Sequence, residues 1–256
     1  MGSSCLRLAT YNIHKGVMGM GPTKRLEIHN LGLAVEAFDA DIVCLQEVRR
    51  FNHLESRHFS RTDFGHRAWP NQPQADYLAP DGYQVAYRTN AITRHGEHGN
   101  ALLARWPIGE VKHHDVSDHR FEQRGLLHVT VDWRNIRIHV VVVHLGLFHQ
   151  SRVRQTERVA EVLQRDIPPG VPAIVAGDFN DWNEKLDHIL IDAGMTRSTR
   201  DNGDRVATFP SRVPVLTLDR VYTRGLRCTD IMVPRGEAWA RMSDHLPLVV
   251  ELELDL

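Results

Sequence analysis

Several polar residues that are able to bind a metal or transfer a proton lie at the ends of apolar runs in this sequence or within them. All of these residues are asparagine, aspartate, glutamate or histidine, and none is cysteine. Because a rigid strand end holds a side chain to within a fraction of an ångström, residues at several such ends are expected to converge on one site. The set consists of Asn12, Glu47, His144, Asp178, Asn180, Asp219, Asp244 and His245.

The residue types in this set favour a hard cation. Carboxylate and amide oxygens without thiolates suit Mg²⁺ or Mn²⁺. Mg²⁺ usually takes one or two protein carboxylates and keeps its remaining positions for water and phosphate oxygens. Glu47 is therefore the best single candidate for a metal ligand, while the other acids are able to orient water or histidine.

The elements that position these residues are predicted from hydrophobic periodicity. Helices are predicted over residues 24–38, after Ser151 as far as Pro168-Pro169, and after Asp181, where Glu184 completes a capping box. Since strands occur both as hairpin-like pairs and separated by helices, a mixed sheet is expected. Strands are predicted over residues 6–13, 41–46, 100–105, 125–132, 137–144, 171–176, 215–222 and 246–254.

Residues 51–83 show no clear period and are rich in His, Arg, Pro and aromatic residues. Long loops with one short helix are expected there. The basic and aromatic side chains form either a DNA-binding wall or a folded loop with a small core of its own. Interleaved acidic residues favour the folded loop. The side chains concerned are Arg49, Arg50, Arg57, Arg61, Trp69 and Tyr77.

Composition indicates a globular α/β protein. We expect one domain over residues 1–256, with residues 1–5 disordered or derived from a tag. A formal net charge of −1 provides no global attraction to nucleic acid. Neither a transmembrane segment nor a secretory signal is predicted. The widely spaced Cys5, Cys44 and Cys228 are expected to be reduced thiols, which fits a cytoplasmic location.

Four short motifs occur in order along the chain. They are Thr10-Tyr11-Asn12, Leu45-Gln46-Glu47, Gly177-Asp178-Phe179-Asn180 and Ser243-Asp244-His245. This series resembles that of the endonuclease/exonuclease/phosphatase superfamily, and His144-Leu145-Gly146 and Leu218-Asp219 resemble its intervening motifs. The resemblance covers residues 6–252. It implies a DNase I-like, four-layer α/β sandwich with two central mixed β-sheets flanked by helices.

The resemblance also implies roles for these residues. Glu47 would hold the catalytic metal, Asn12 would bind metal or phosphate beside it, and Asp244 would be a further ligand or support one. Asp178 and Asn180 would orient the attacking water and a phosphate oxygen.

Two histidines receive roles from the same resemblance. His245, held by Asp219, would act as general base or stabilise charge on the phosphate, and His144 would contact phosphate or the leaving oxygen. Whether Asp178 or His245 takes the proton of water stays open at the level of sequence.

The stretch that follows Asn12 differs from the same stretch in some superfamily members. AP endonuclease-like members have an acidic residue two positions after the asparagine, whereas this chain has His14, which argues against that activity. We interpret His14 and Lys15 as phosphate-facing residues. Asn100 and Arg124 are candidates for substrate binding, with a strand-capping role for Asn100 and a solvated role for Arg124 as the alternatives. These stretches look closest to small bacterial members.

The sequence thus predicts an enzyme that uses Mg²⁺ or Mn²⁺ to hydrolyse a phosphodiester in nucleic acid, lipid or a small molecule. A phosphomonoesterase of the inositol-phosphate type is less favoured, because few basic residues accompany the motifs. A non-catalytic binding module is disfavoured, since such a copy is expected to lose some of the motif residues. A phosphate ester is the expected partner, and no protein partner is indicated.

Overall fold

Two six-stranded β-sheets form the centre of the molecule. The computed structural model describes residues 5–60, 68–119, 122–200 and 203–255. The first sheet has the order β13-β14-β1-β4-β6-β5 and the second β11-β12-β10-β9-β8-β7, while β2 and β3 form a separate two-stranded ribbon. The strands are β1 (Leu6–Asn12), β2 (Val17–Met18), β3 (Arg25–Leu26), β4 (Ile42–Asn52), β5 (Gln84–Thr93), β6 (Gly96–Ala104), β7 (Ile108–Asp115), β8 (Gly125–Trp133), β9 (Ile136–His144), β10 (Ala173–Asp178), β11 (Thr196–Arg197), β12 (Asp219–Arg224), β13 (Leu226–Met232) and β14 (Leu248–Leu254).

Each large sheet is mixed. The pair β1–β4 in the first sheet and the pair β9–β10 in the second are parallel, and the other pairings in both sheets are antiparallel. The parallel pairs lie inside their sheets, where both faces are covered. Their carboxyl ends carry most of the polar residues singled out from the sequence.

Helices cover the outer faces of both sheets. They are α1 (Ile28–Phe38), α2 (His53–Phe59), α3 (Gln74–Leu78), α4 (His149–Asp166), α5 (Asp187–Asp192) and α6 (Glu237–Met242). One apolar core joins α1, α3 and α6 to the first sheet, and another joins α4 and α5 to the second. A third core lies between the sheets, so the architecture is the four-layer DNase I-like sandwich that the motifs implied.

Strand alternation explains the three cores. Leu6 and Leu8 of β1 point into the space between the sheets, whereas Ala9 and Tyr11 point toward the helices. Side chains of successive strand residues point to opposite faces, and here both faces are buried. The central strands are therefore apolar throughout, which is why they stand out in the sequence.

Several predicted boundaries were wrong. The predicted helix over 24–38 begins only at Ile28, because Arg25–Leu26 pairs with Val17–Met18. The predicted strand over 215–222 begins at Asp219. Asp181 does not form the predicted capping box, since its Oδ2 accepts a hydrogen bond from the backbone N–H of Leu186, beyond Glu184. The strands β5, β7 and β13 were not predicted.

The segment 51–83 is more regular than predicted. Strand β4 continues to Asn52, whose side chain caps α2 by accepting from the Glu55 N–H at 3.0 Å, and α3 follows. Phe59 stacks on Trp69 with centroids 6.4 Å apart, which favours the folded loop over a DNA-binding wall. Arg61, one of the proposed wall residues, lies outside the described residues, as do residues 1–4 of the segment expected to be disordered or tag-derived. No helix of the described part is long and apolar enough to cross a membrane.

Candidate active site

Three polar residues lie in one row across the second sheet. Asp178 ends β10 and is in register with His144 at the end of β9 on one side and with Asp219 at the start of β12 on the other. All three are buried. The pairing of three strands therefore brings together residues that are far apart in sequence.

Asp178 is the centre of this row. Its Oδ1 accepts from the Asn180 N–H at 2.9 Å, and its Oδ2 accepts from the Asn12 side-chain amide at 3.1 Å. The Nε2 atoms of His144 and His245 each lie 3.6 Å from the same Oδ2. Asn12 belongs to the first sheet, so Asp178 links the two sheets at the site.

His245 lies between two carboxylates. Its Nδ1 is 2.8 Å from Asp219 Oδ2, which also accepts from the Thr208 hydroxyl at 2.6 Å. Phe209 packs against the imidazole, with ring centroids 4.9 Å apart. Asp219 lies beside Nδ1 and Asp178 faces Nε2. These two carboxylates therefore favour a single orientation of the imidazole ring, in which each nitrogen points toward an acceptor.

The two histidines of the site have opposite charge states. Burial lowers the pKa of His245, but the negative charges of Asp219 and Asp178 outweigh it and raise that pKa to about 10. Burial and the nearby Arg124 lower the pKa of His144 to about 4. Burial raises the pKa of Asp178, against the opposing effect of His245. At neutral pH the site therefore holds one imidazolium and one neutral imidazole.

Glu47 reaches the site from an irregular strand. The register of β4 against β6 shifts between Leu45 and Val48, and Glu47 has a φ of 57°. Bulges of this kind redirect a side chain at the end of a strand. Its Oε2 lies 2.9 Å from Lys15 Nζ. Burial opposes ionisation, but His144 and Lys15 hold the pKa of Glu47 well below its ordinary value.

The loops that follow β1 and precede β14 complete the cluster. His14 Nδ1 lies 3.2 Å from Asp244 Oδ1, and the His14 N–H donates to the Asn12 side chain at 3.1 Å. The Ser243 hydroxyl donates to the Asn12 carbonyl at 2.7 Å. Burial raises the pKa of Asp244, yet the hydrogen bond from His14 and the charge of His245 bring it below its ordinary value.

The Gly-Asp-Phe-Asn motif depends on its glycine. Gly177 has a φ of 148°, and a Cβ there would lie 1.9 Å from the Val143 carbonyl oxygen. A side chain would push β10 away from β9 and break the row of Asp178 and His144. Asn180, with a φ of 50°, donates from its side chain to the Leu145 carbonyl at 2.9 Å, which ties the loop after β10 to the loop after β9.

Comparison with known families agrees with this geometry. The model of the Endonuclease/Exonuclease/phosphatase family matches residues 9–245, a span that runs from β1 to His245. The chain belongs to this family. Its members are metal-dependent phosphoesterases and nuclease-type hydrolases, and that is the class of activity that membership suggests.

Individual relatives extend the comparison. The uncharacterized protein YbhP of Escherichia coli K12 is 36% identical over 253 residues, which covers 97% of this chain and 96% of YbhP. The endonuclease/exonuclease/phosphatase of Beutenbergia cavernae has a TM-score of 0.73 at 20% identity, covering 98% of this chain and 72% of that one. The human Nocturnin catalytic domain, solved with bound sulfate, also has a TM-score of 0.73 at 20% identity, with 98% and 95% covered. These structures show the same fold.

Divalent metal is typical of the family, and the donor set fits it. Oxygen donors from Glu47, Asn12 and Asp244 suit a hard cation. Lys15 Nζ lies beside Glu47, and His14 Nδ1 lies beside Asp244. Asp178, Asp219 and His245 also lie close enough to surround an ion. We interpret that trio as a charge relay instead, because His245 is hydrogen-bonded to Asp219 through Nδ1 and faces Asp178 through Nε2 at 3.6 Å.

Asn100 and Arg124 occupy different places. Asn100 is fully buried and donates to the carbonyls of Gly125 and Val142 at 3.1 and 3.2 Å, so it bridges the two sheets. Arg124 lines a cavity of about 540 Å³ beside the site and lies 3.6 Å from Glu122 Oε1. The structure therefore puts Arg124 next to the cluster and Asn100 beneath it.

Sequence reasoning missed three residues that support the site. His98 lines the same cavity as Arg124, and burial together with Lys15 lowers its pKa to about 4. Strand alternation was a usable signal, because His98 and Asn100 are two residues apart on β6. Thr208 supports Asp219 from an irregular loop, where no period marks it.

The third, Arg220, is a fully buried cation that holds the loop after Asn180. Its Nη1 lies 3.1 Å from Asp181 Oδ2 and 3.0 Å from Asp187 Oδ1. Asp181 therefore serves as its partner and not as a helix cap. A single arginine inside a predicted strand gives no sequence signal for this role.

Proposed function

We propose that this protein is a Mg²⁺- or Mn²⁺-dependent phosphodiesterase that cleaves its substrate by in-line attack of water. The observation that carries the proposal is the relay from Asp219 through His245 to Asp178, beside an ionised Glu47. A phosphodiester resists attack because its own negative charge repels nucleophiles. Positive charge and a proton acceptor must therefore be present together, and this cluster holds both.

Glu47, with Asn12 and Asp244 nearby, would hold the metal. When bound, the cation neutralises charge on the phosphate and on the leaving oxygen. Lys15 and His14 already face these acids, so they are positioned to move to the phosphate oxygens once the acids take the cation. Arg124 would add a contact from the cavity side.

The charge states favour Asp178 as the proton acceptor. His245 is protonated at neutral pH, so it has no free nitrogen for a proton and is suited to stabilise the negative charge of the transition state. Burial makes Asp178 more basic than an ordinary aspartate, and Asn12 and Asn180 hold its orientation. His144 is neutral and remains able to donate a hydrogen bond to the phosphate or to the leaving oxygen.

A diester substrate fits the surroundings better than a monoester. The basic side chains that we assign to phosphate contact are Lys15, His14 and Arg124, which is few for a substrate with additional phosphates. Leu147, Phe148 and Trp182 are exposed on the loops that follow β9 and β10. They offer an apolar surface to the group attached to the phosphate.

Hydrolysis of bis(4-nitrophenyl) phosphate tests the proposal. Wild-type protein is expected to hydrolyse it with Mg²⁺ or Mn²⁺ and to lose the activity in EDTA. His245→Ala, purified in parallel, is the contamination control and is expected to be nearly inactive. An equal rate in His245→Ala would refute the site, and wild-type protein that neither binds Mg²⁺ or Mn²⁺ nor hydrolyses the diester would support a non-catalytic module.

Two further substrates narrow the class. Nicking of supercoiled plasmid by wild type alone would identify a nuclease, whereas activity confined to the small diester would direct the search to phospholipids and small molecules. Faster hydrolysis of 4-nitrophenyl phosphate than of the diester would support a monoesterase instead.

A further inference from the structure

Three histidines form a row on the outer face of the second sheet, away from the candidate active site. They are His114 of β7, His128 of β8 and His139 of β9. His139 and His144 belong to the same strand and are five positions apart, which separates them by roughly 17 Å along β9. The carboxyl end of α4, with Asp166 as its last residue, lies over the row.

The distances in this row match those of ligands around one ion. His114 Nε2 lies 3.4 Å from His128 Nδ1 and 3.8 Å from Asp166 Oδ2. Two ligand atoms, each at about 2.0–2.1 Å from a tetrahedral Zn²⁺, are about 3.3–3.4 Å apart. The two nitrogens already have this separation, and the Asp166 oxygen must approach them, since it lies 3.8 Å from His114 Nε2 and the three ligand atoms lie within 4.8 Å of one another.

His139 supplies the support that metal-binding histidines usually have. Its Nδ1 lies 2.8 Å from His128 Nε2, inside the protein. When His128 donates its Nε2–H to His139, its Nδ1 is left with a lone pair that points toward His114. Hydrogen bonds of this kind fix the tautomer and the ring orientation of a ligand.

The charges around the row are compatible with metal binding but not wholly favourable. Burial lowers the pKa of His114, His128 and His139, so all three are neutral and able to coordinate. Lys112 lies near the row and opposes a cation. Arg165 pairs with Asp166 at 2.8 Å and must share that carboxylate. The side chains of His114 and Asp166 are 15% and 17% exposed, which gives an ion access from solvent.

We propose that His114, His128 and Asp166 form a second metal site, selective for Zn²⁺ or a similar borderline cation, with water as the remaining ligand. Two imidazoles and one carboxylate suit such an ion, whereas the oxygen-rich cluster suits Mg²⁺. The ion would link the edge strand β7, β8 and the end of α4. Its role is therefore to fasten the edge of the second sheet to the helix that covers it, independently of catalysis.

Zn²⁺ binding by the full-length protein tests this proposal. After EDTA treatment and desalting, the measurements are isothermal titration with Zn²⁺ and thermal unfolding with and without it. We expect His114→Ala to weaken the affinity of this site about 100-fold and to abolish the Zn²⁺-dependent rise in Tm. Asp166→Asn, which keeps an oxygen donor but loses the charge, is expected to weaken it about 10-fold; even the loss of a residue that only supports a ligand typically costs about 10- to 100-fold. Mg²⁺ is expected to give no rise in Tm through this site.

The chain offers matched controls. His113 is the neighbour of His114 on β7, with its side chain on the opposite face, so His113→Gln is expected to bind Zn²⁺ as wild type does. Glu47→Gln alters the candidate active site and leaves the distal row of three histidines unchanged. This variant is therefore expected to keep the Zn²⁺-dependent rise in Tm. His114 is partly exposed, so its alanine variant is expected to fold.

Three outcomes would overturn the proposal. They are the absence of Zn²⁺ binding by wild type, equal loss in His113→Gln and His114→Ala, and loss of the Tm rise in Glu47→Gln. If wild-type protein does not bind Zn²⁺, the contact between His114 and His128 is only a hydrogen bond.

Discussion

His245 of the candidate active site and His128 of the distal row are the same residue type with similar burial, but their pKa values are shifted in opposite directions. In the active-site cluster His245 faces Asp219 and Asp178, and its pKa is raised to about 10. In the distal row burial, with His139, His114 and Lys112, lowers the pKa of His128 to about 4, and Asp166 has only a smaller opposing effect. Burial acts in the same direction on both, so the neighbouring carboxylates decide the charge.

The two regions also differ in their backbone. Strands β8 and β9, which carry His128 and His139, pair in unbroken register. Among the described residues, eight non-glycine residues have a positive φ, and four of them belong to the candidate active site. These four are His14, Lys15, Glu47 and Asn180. A left-handed conformation costs of order 1 kcal/mol or more, and such residues cluster where function requires the geometry.

The largest expected effect follows from removing the central charge of the cluster. Asp178→Asn keeps the shape of the side chain but removes the proton acceptor, so kcat for the activated diester is expected to fall about 10²- to 10⁴-fold. Circular dichroism and thermal unfolding should show an intact fold. Asp192→Asn makes the same chemical change at an exposed position and should leave kcat unaltered. Near-normal activity in Asp178→Asn would show that this carboxylate takes no part.

Asp219→Asn removes the carboxylate that distinguishes His245 from the distal histidines. If the imidazolium of His245 stabilises the transition state, activity is present below its pKa and is lost as pH rises through that pKa. Removing Asp219 lowers the pKa, so the alkaline loss of activity should move from near 10 toward neutral pH. We also expect kcat to fall by about 10²-fold or more, because the ring loses its orientation.

The pH–rate profile distinguishes the two roles of His245. A general base is active in its neutral form, and the rate would then rise with pH through the same pKa. A rise in the wild-type profile would contradict our assignment of Asp178 as the acceptor. Direct observation of the His245 ring by NMR in both proteins would show whether the pKa itself has moved.

Much of the candidate active site could be predicted from the sequence. The motifs lie on strand ends, and the parallel pairs bring those ends to one edge, so Asn12, Asp178 and His245 were predicted to converge. Periodicity also gave the central strands within a few residues, because both faces of those strands are apolar. The edge strands β5 and β7 were not predicted, because one face of an edge strand is polar and this interrupts the apolar pattern.

The distal row and the supporting residues were not predicted, for a physical reason. His114, His128 and His139 meet only through the register of three strands, and their spacing of 14 and 11 residues matches no local metal motif. Sequence spacing reveals a site when one element carries its ligands, as in a helix with histidines four residues apart. Thr208 and Arg220 likewise act across elements, which only the packing discloses.

His139→Leu tests the hydrogen bond within the distal row. The substitution leaves His128 Nε2 buried without its partner, so the metal-free protein should lose about 1–3 kcal/mol in its free energy of unfolding. Urea unfolding in EDTA measures the change. His149→Leu, at an exposed position, is the control and should cost much less. Equal stability of His139→Leu and wild type would mean that the imidazole pair contributes nothing in the absence of metal.

Lys15→Met has the smallest expected effect, and it tests whether this lysine of the candidate active site contributes to substrate binding. Lys15 Nζ lies 2.9 Å from Glu47 and is partly exposed, so its contact with phosphate is screened by water. We expect KM for the diester to rise about 3- to 10-fold with little change in kcat, and more so at low salt. Lys112→Met removes the same charge beside the distal row and should leave KM unchanged. A large fall in kcat for Lys15→Met would instead make this lysine a stabiliser of the transition state, because a group that binds substrate and transition state equally alters KM alone.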